Sequence, residues 1–132
     1  MLDIKKLNGG SRFDYQEKVE KYIKLGVLPS ESVVRALYTN DTKYGKSATA
    51  IVTFLKDGKF ETLGVNLPKH QVKNVLALLE DDDCIDLINT GRLSITPVKY
   101  HSGKYNKDCF TIKWDNTSKE LYDAFLDDEV EF

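Results

Sequence analysis

The sequence predicts a mainly β domain of five strands, with a helix inserted between the third and the fourth. Three observations predict it. β-Branched and aromatic residues cluster in short runs at 33–39, 48–55, 59–65, 93–100 and 109–114, as half-buried strands require. The joints between runs carry turn formers: residues 40–46, Asp57-Gly58 and residues 101–107. Between the third and fourth runs, residues 69–80 put Val72, Val75, Leu76 and Leu79 on one face, an amphipathic helix.

Taken in order, residues 1–12 read as a flexible basic arm containing Lys5, Lys6 and Arg12. Asp14 starts a helix in which Tyr15, Val19, Tyr22 and Ile23 recur at helical spacing, ended by Gly26 and Pro29. Three strands follow, joined by a polar loop and a tight Asp-Gly hairpin. Asn66-Leu67-Pro68 punctuates the chain before the amphipathic helix. The acidic run Glu80 to Asp83 leads into a short helix at 84–88, and Asn89-Thr90-Gly91 turns into strand four. Pro97 assigns that strand to an edge or a bulge. On strand five, Phe110, Ile112 and Trp114 share a face, which reads as core with Phe110 buried and with Trp114, at the strand end, either core or stacking platform. Asp115 or Thr117 caps a last helical turn before the acidic end. The order β-β-β-α-β-β suits an OB-fold, a five-stranded, partly open Greek-key barrel with a helix between strands three and four; an α+β sandwich on an antiparallel sheet is the alternative. The division is residues 1–30 for the N-terminal arm and helix, 31–116 for the barrel, and 117–132 for an acidic C-terminal tail.

Length and composition set limits. With 132 residues, 41% hydrophobic and 30% charged, the chain is one globular domain. No apolar run approaches the ~18 residues a membrane span needs, and the start lacks a signal-like apolar segment. Cys84 and Cys109 fit neither paired metal-ligand spacing nor a disulfide framework, so they read as reduced thiols of a cytoplasmic protein. Charge is divided unevenly. Six of the 21 acids lie in residues 120–132, which hold no Lys or Arg; the remaining 15 face all 19 Lys and Arg, so the body carries +4.

Catalytic constellations are weak. His70 and His101 share no local motif with either cysteine, the Asp81-Asp82-Asp83 run lacks calcium-loop spacing, and no Walker-type or dinucleotide glycine pattern occurs. No cofactor, metal or catalytic residue is assigned. The nucleic-acid pattern is better. Single-strand binding needs a cationic track for phosphates and aromatic faces for bases. Lys43-Tyr44-Gly45-Lys46 lies between strands one and two; Lys99-Tyr100 and Lys104-Tyr105-Asn106-Lys107 lie between strands four and five. In an OB barrel these two loops flank the cleft. The expected contacts are Tyr44, Tyr100, Tyr105 and Trp114 to bases and Lys43, Lys46, Lys99, Lys104 and Lys107 to phosphates, with Arg35 either a phosphate contact or a surface residue. The alternative is that these are ordinary hairpin residues with the tyrosines folded onto the rim.

With Asn66-Leu67-Pro68 before a helix, these loops resemble those of small OB-fold single-stranded-DNA-binding proteins encoded by bacteriophages, over residues 33–114. The acidic end adds to the resemblance. Bacterial single-stranded-DNA-binding proteins and phage counterparts close on an acidic tip with Phe, and Asp127, Asp128, Glu129 and Phe132 match in kind. The chain departs from the bacterial pattern in having Val130-Glu131 before Phe132 and no Gly/Gln/Pro-rich linker. The resemblance implies non-enzymatic, sequence-independent binding of single-stranded DNA in phage replication or recombination, in the host cytoplasm, with the tip recruiting a partner such as a phage polymerase or recombinase. Two other classes stay open: a protein-interaction or inhibitor module on the same scaffold, and an RNA-binding OB module. The N-terminal helix serves either as a homodimer interface or as a cap on the barrel.

Overall fold

A central strand apolar on both faces organises the chain. The computed structural model describes Phe13 and residues 21–28, 31–43, 45–104 and 106–130, the side chains of Val27 and of 127–130 excepted. Its six strands, β1 (Tyr22–Lys24), β2 (Ser32–Thr42), β3 (Gly45–Lys56), β4 (Lys59–Leu67), β5 (Leu93–Ser102) and β6 (Lys107–Asn116), form one curled half-barrel sheet in the order β1-β4-β3-β2-β5-β6. All neighbours are antiparallel except β1 and β4. On β3, Ala48, Ala50, Val52 and Phe54 face the core, and Thr49, Ile51 and Thr53 on the reverse face are buried as well. That is the pattern of a strand covered on both sides, and it accounts for the absence of a cleanly polar face in its sequence. Asp57 and Gly58 both take positive φ (52° and 79°), the two-residue turn that suits strand twist. A bulge between Val34 and Ala36 leaves Arg35 as the extra residue of β2.

Between β4 and β5 lie a 3-10 turn (Lys69–Gln71), α1 (Val72–Leu79) and α2 (Asp82–Asn89). Val75, Ile85 and Ile88 anchor the helices in the core. Asp81 caps α2, its carboxylate accepting from the Asp83 and Cys84 backbone N–H groups at 2.9 and 3.3 Å. The acidic run is thus a helix start, where negative charge meets the positive end of the helix dipole. From Thr96 onward β5 is paired with β6 alone, so Pro97 sits where no second neighbour needs its missing N–H.

Several expectations are corrected. Tyr22 and Ile23 belong to strand β1; residues 1–12 and 14–20 of the expected arm and helix lie outside the described residues. Ile23 packs on the core while Tyr22 and Lys24 are exposed, a period of two. The 3-10 turn after β1 (Leu25–Val27) touches β4, β5 and β6, so this segment bridges the two ends of the sheet. Phe110 is 38% exposed rather than buried; its ring lies over Gly26, where an added Cβ would come within 2.9 Å of it. Glycine there makes room for the ring. Strands extend into both expected loops, and among the described residues six strands stand in place of five.

The acidic end is not merely a last turn. It continues as α3 (Lys119–Val130), started by Ser118 rather than Asp115 or Thr117. Glu31 holds this start. Its carboxylate accepts from the Ser118 backbone N–H (2.9 Å), the Ser118 hydroxyl (2.6 Å) and the Ser94 hydroxyl (2.8 Å). About two turns later Phe125 is buried, edge-on to Phe60 with ring centroids 6.3 Å apart and under the Arg35 guanidinium at 4.8 Å.

Burial pushes the Glu31 carboxyl up, but the Ser118 and Ser94 hydrogen bonds together bring it below its ordinary value of 4.5. A depressed carboxylate stabilises the fold above its unfolded pKa and loses that contribution as pH falls through its folded pKa. Glu31→Gln is therefore expected to lower unfolding free energy at pH 7 by about 1.5–3 kcal/mol, the range for hydrogen bonds to a charged group. In urea titrations the wild-type advantage should shrink as pH drops below 4.5; a difference independent of pH would rule out the ionised clamp.

Candidate nucleic-acid interface

The lysines of both Lys-Tyr segments lie at the ends of paired hairpins. The β2–β3 ladder runs to the Thr42↔Gly45 pair, with Lys43 directly after its last β2 residue. Gly45 takes φ 111°, outside the reach of most side chains, and the Thr42 hydroxyl donates to its carbonyl at 2.6 Å. The β5–β6 ladder runs to Ser102↔Lys107, and Asn106, just before β6, takes φ 48°. Asparagine is among the few residues that accept that conformation readily. Lys46, Lys99 and Lys107 therefore stand on hydrogen-bonded ladders, while Lys43 and Lys104 lie just beyond the ladders' ends.

The 3-10 turn between β4 and α1 brings the two hairpins together. Lys69 reaches the first: its Nζ lies 3.5 Å from where a Gly45 Cβ would sit. His70 reaches the second: its Nε2 is 2.7 Å from the Thr111 hydroxyl, and its ring is edge-on to Tyr100 at 6.4 Å. Gln71 holds the turn in place. Its buried amide donates to the Thr111 hydroxyl (2.9 Å), and its Oε1 accepts from the Trp114 indole N–H (3.0 Å) and the Asn74 amide (2.9 Å). Sequence reading put His70 in the first turn of a helix and passed over Lys69. The available sign was Lys-His-Gln directly after Pro68, which starts a turn rather than a regular helix.

The expected contacts divide into groups. Lys43, Lys104 and Lys107 are exposed at the tips, and Tyr100 is 39% exposed beside His70. Lys46 pairs with Asp41 at 3.1 Å and Lys99 with Asp108 at 3.2 Å, each within its own hairpin. Asp108 also meets His101 at 3.3 Å. The hydrogen bonds from Lys99 and His101, then the Lys99 charge, hold the Asp108 carboxyl below its usual range. Arg35 donates to the Thr53 hydroxyl at 3.2 Å and stacks on Phe125, between sheet and α3. Trp114 is half-buried against the core with its indole N–H given to Gln71. Tyr44, Tyr105 and Phe132 lie outside the described residues, as do the side chains of Asp127, Asp128 and Glu129; the backbone of the last three belongs to α3.

Burial, then the nearby Asp81 and Asp83, pushes the Cys84 thiol up, away from a reactive thiolate. Among the described residues no group of three or more His, Cys, Asp or Glu is placed to hold a metal ion, and no helix is long and apolar enough to cross a membrane. Comparison with protein-family models, curated proteins and solved structures finds no match to the chain.

The two intra-hairpin ion pairs give the surface a tunable charge. Asp41→Asn and Asp108→Asn each remove a carboxylate that faces a lysine. Each should raise the salt needed to elute the protein from a phosphocellulose column, and the double variant more than either. Unchanged elution would show that these hairpins do not form the anion-facing surface.

Proposed function

We propose that the chain binds single-stranded DNA without sequence preference and without catalysing a reaction. One observation carries this reading: two lysine-bearing hairpins converge on Lys69 and His70, with the exposed ring of Tyr100 on the second hairpin beside His70. Such a surface meets both demands of single-strand binding, cations spaced for a backbone and an aromatic face for a base. The order β4-β3-β2-β5-β6, with helices between β4 and β5, is consistent with an OB-like barrel in which β1 is an added edge strand. The resemblance of loops and acidic end to phage single-stranded-DNA-binding proteins supports a place in replication or recombination. On this reading the acidic residues beyond Phe125 compete with DNA for the cationic surface and recruit a partner protein.

A protein-interaction module is the second reading. It is favoured by the engagement of Lys46, Lys99 and Arg35 within the fold, which reduces the charge offered to phosphates.

Fluorescence anisotropy of end-labelled oligo-dT separates the two. Because Trp114 is half-buried, its own emission is a weaker reporter than the labelled strand. Binding should weaken with salt at about −0.7 in log–log slope per phosphate neutralised, and replacing Lys104 and Lys107 by Ala should flatten that slope. No binding at low salt favours the interaction module. Tighter binding to oligo-rU than to oligo-dT assigns the surface to RNA.

Truncation after Leu126 removes residues 127–132 while keeping Phe125 in its site. It should tighten oligo-dT binding at roughly 50 mM salt and lose that effect as salt screens both polyanions. Equal affinity of the two proteins at low salt would remove the competing role of the acidic end.

A further inference from the structure

The most exposed aromatic ring among the described residues lies neither on the hairpins nor in the core. Tyr22 is 58% exposed. It pairs with Gly64 across the β1–β4 edge, and a Cβ added to Gly64 would fall 2.3 Å from its ring atoms. The ring therefore lies on the bare backbone of β4, one side seated and the other open to solvent. A tyrosine held this way loses little further side-chain freedom when a second flat ring lands on it, so part of the ordering cost of a stacking contact is met in advance.

The neighbouring cross-strand row points to the same ligand. Lys24 pairs with Asn66, Asn66 with Thr49, and Thr49 with Tyr38. The Thr49 hydroxyl donates to Asn66 Oδ1 at 3.1 Å, leaving the Asn66 amide N–H groups to donate elsewhere. Asn66 and Lys24 are exposed, and Tyr38 is 39% exposed. Aromatic ring, amide donor and cation thus lie in one row beside the Tyr22 platform. Following β3 toward its start, the next rows are Asn40↔Ser47 and Thr42↔Gly45, where Lys69 stands. From the row of Tyr22 to that of Gly45 is six residues along the strand, roughly 20 Å at about 3.3 Å per residue.

We infer that the outer face of β1, β4, β3 and β2 continues the single-strand site away from the hairpins, with Tyr22 on Gly64 and Tyr38 as base platforms and Lys24 as a phosphate contact. The inference rests on the proposed function and extends it to strand β1, which lies outside the five-strand unit. The occupant is single-stranded nucleic acid because the face offers cations and open rings and, along the row of Lys24 and Tyr38, no carboxylate.

The test is anisotropy with oligo-dT of about 16 nucleotides, the upper end of the range one such barrel covers. Tyr22→Ala is expected to weaken binding about 5- to 150-fold, the range for loss of one stacked base. The salt slope should stay unchanged, because no cation is lost. Tyr22→Phe, which keeps the ring, should bind within about twofold of wild type. Gly64→Ala lifts the ring and should weaken binding as well; should that variant unfold, the exposed Tyr22 pair still decides. Wild-type binding with Tyr22→Ala inside twofold of it overturns the inference and leaves the proposed function standing. Equal loss in Tyr22→Ala and Tyr22→Phe also overturns it, since the ring would then not be the contact. Absence of wild-type binding removes the proposed function and this extension together.

Discussion

The buried amide of Gln71 is the interaction on which the candidate surface depends. It bonds Thr111 and Trp114 on β6 and Asn74 on α1, so one side chain joins the last strand to the first helix. A buried amide leaves its partners unsatisfied if it moves, at a cost of about 1–3 kcal/mol for each stranded group. That cost fixes the short turn before α1, and the turn in turn fixes Lys69 against one hairpin and His70 against the other. The relation between the hairpins is thus set from within the core rather than by their tips.

A second constraint acts at the sheet's ends. Curling a sheet brings its outer strands near each other without pairing them, and unpaired edges invite aggregation. Here β1 pairs with β4, and the turn after it, with Leu25 and Leu28 buried, reaches β5 and β6. Phe110 crosses onto Gly26 from the far side. On the opposite face α3 is held at its start by Glu31 and about two turns later by Phe125. The acidic segment is therefore part of the domain's architecture as far as Phe125.

Much of the strand framework was legible because period-two burial leaves a direct mark. The strand runs, the Asp57-Gly58 turn and the Val75 face of α1 all follow from local pattern, whereas the inward face of β3 does not, since both of its faces are apolar. What was not legible came from partners distant in the chain. Tyr22-Ile23-Lys24 has a helical neighbour pattern in sequence, yet it becomes a strand because β4 offers an unpaired edge. Phe110 looks like core from its own strand, and only Gly26, far back in the chain, shows where the ring goes. Lys46 and Lys99 look like open cations until strand register sets Asp41 and Asp108 beside them. Arg35 reads as either a phosphate contact or a surface residue, and the aromatic it stacks on is ninety positions later. For the site, the types of residue were readable and their engagement was not.

The brief contact between β2 and β5 has a mechanical consequence. These strands pair only at Ser32↔Ile95 and Val33↔Ser94, and beyond them β5 and β6 run on as a two-stranded ribbon. An isolated ribbon of that kind is only marginally stable and twists more freely than a wide sheet. Pro97 stands near its root, and the contacts of His70 and Gln71 with Thr111 and Tyr100 are its lateral brace. The Leu25–Val27 turn, on which Phe110 lies, props it a second time, so the ribbon is a cantilever held at two points, a compliant jaw beside the stiff wall β4-β3-β2.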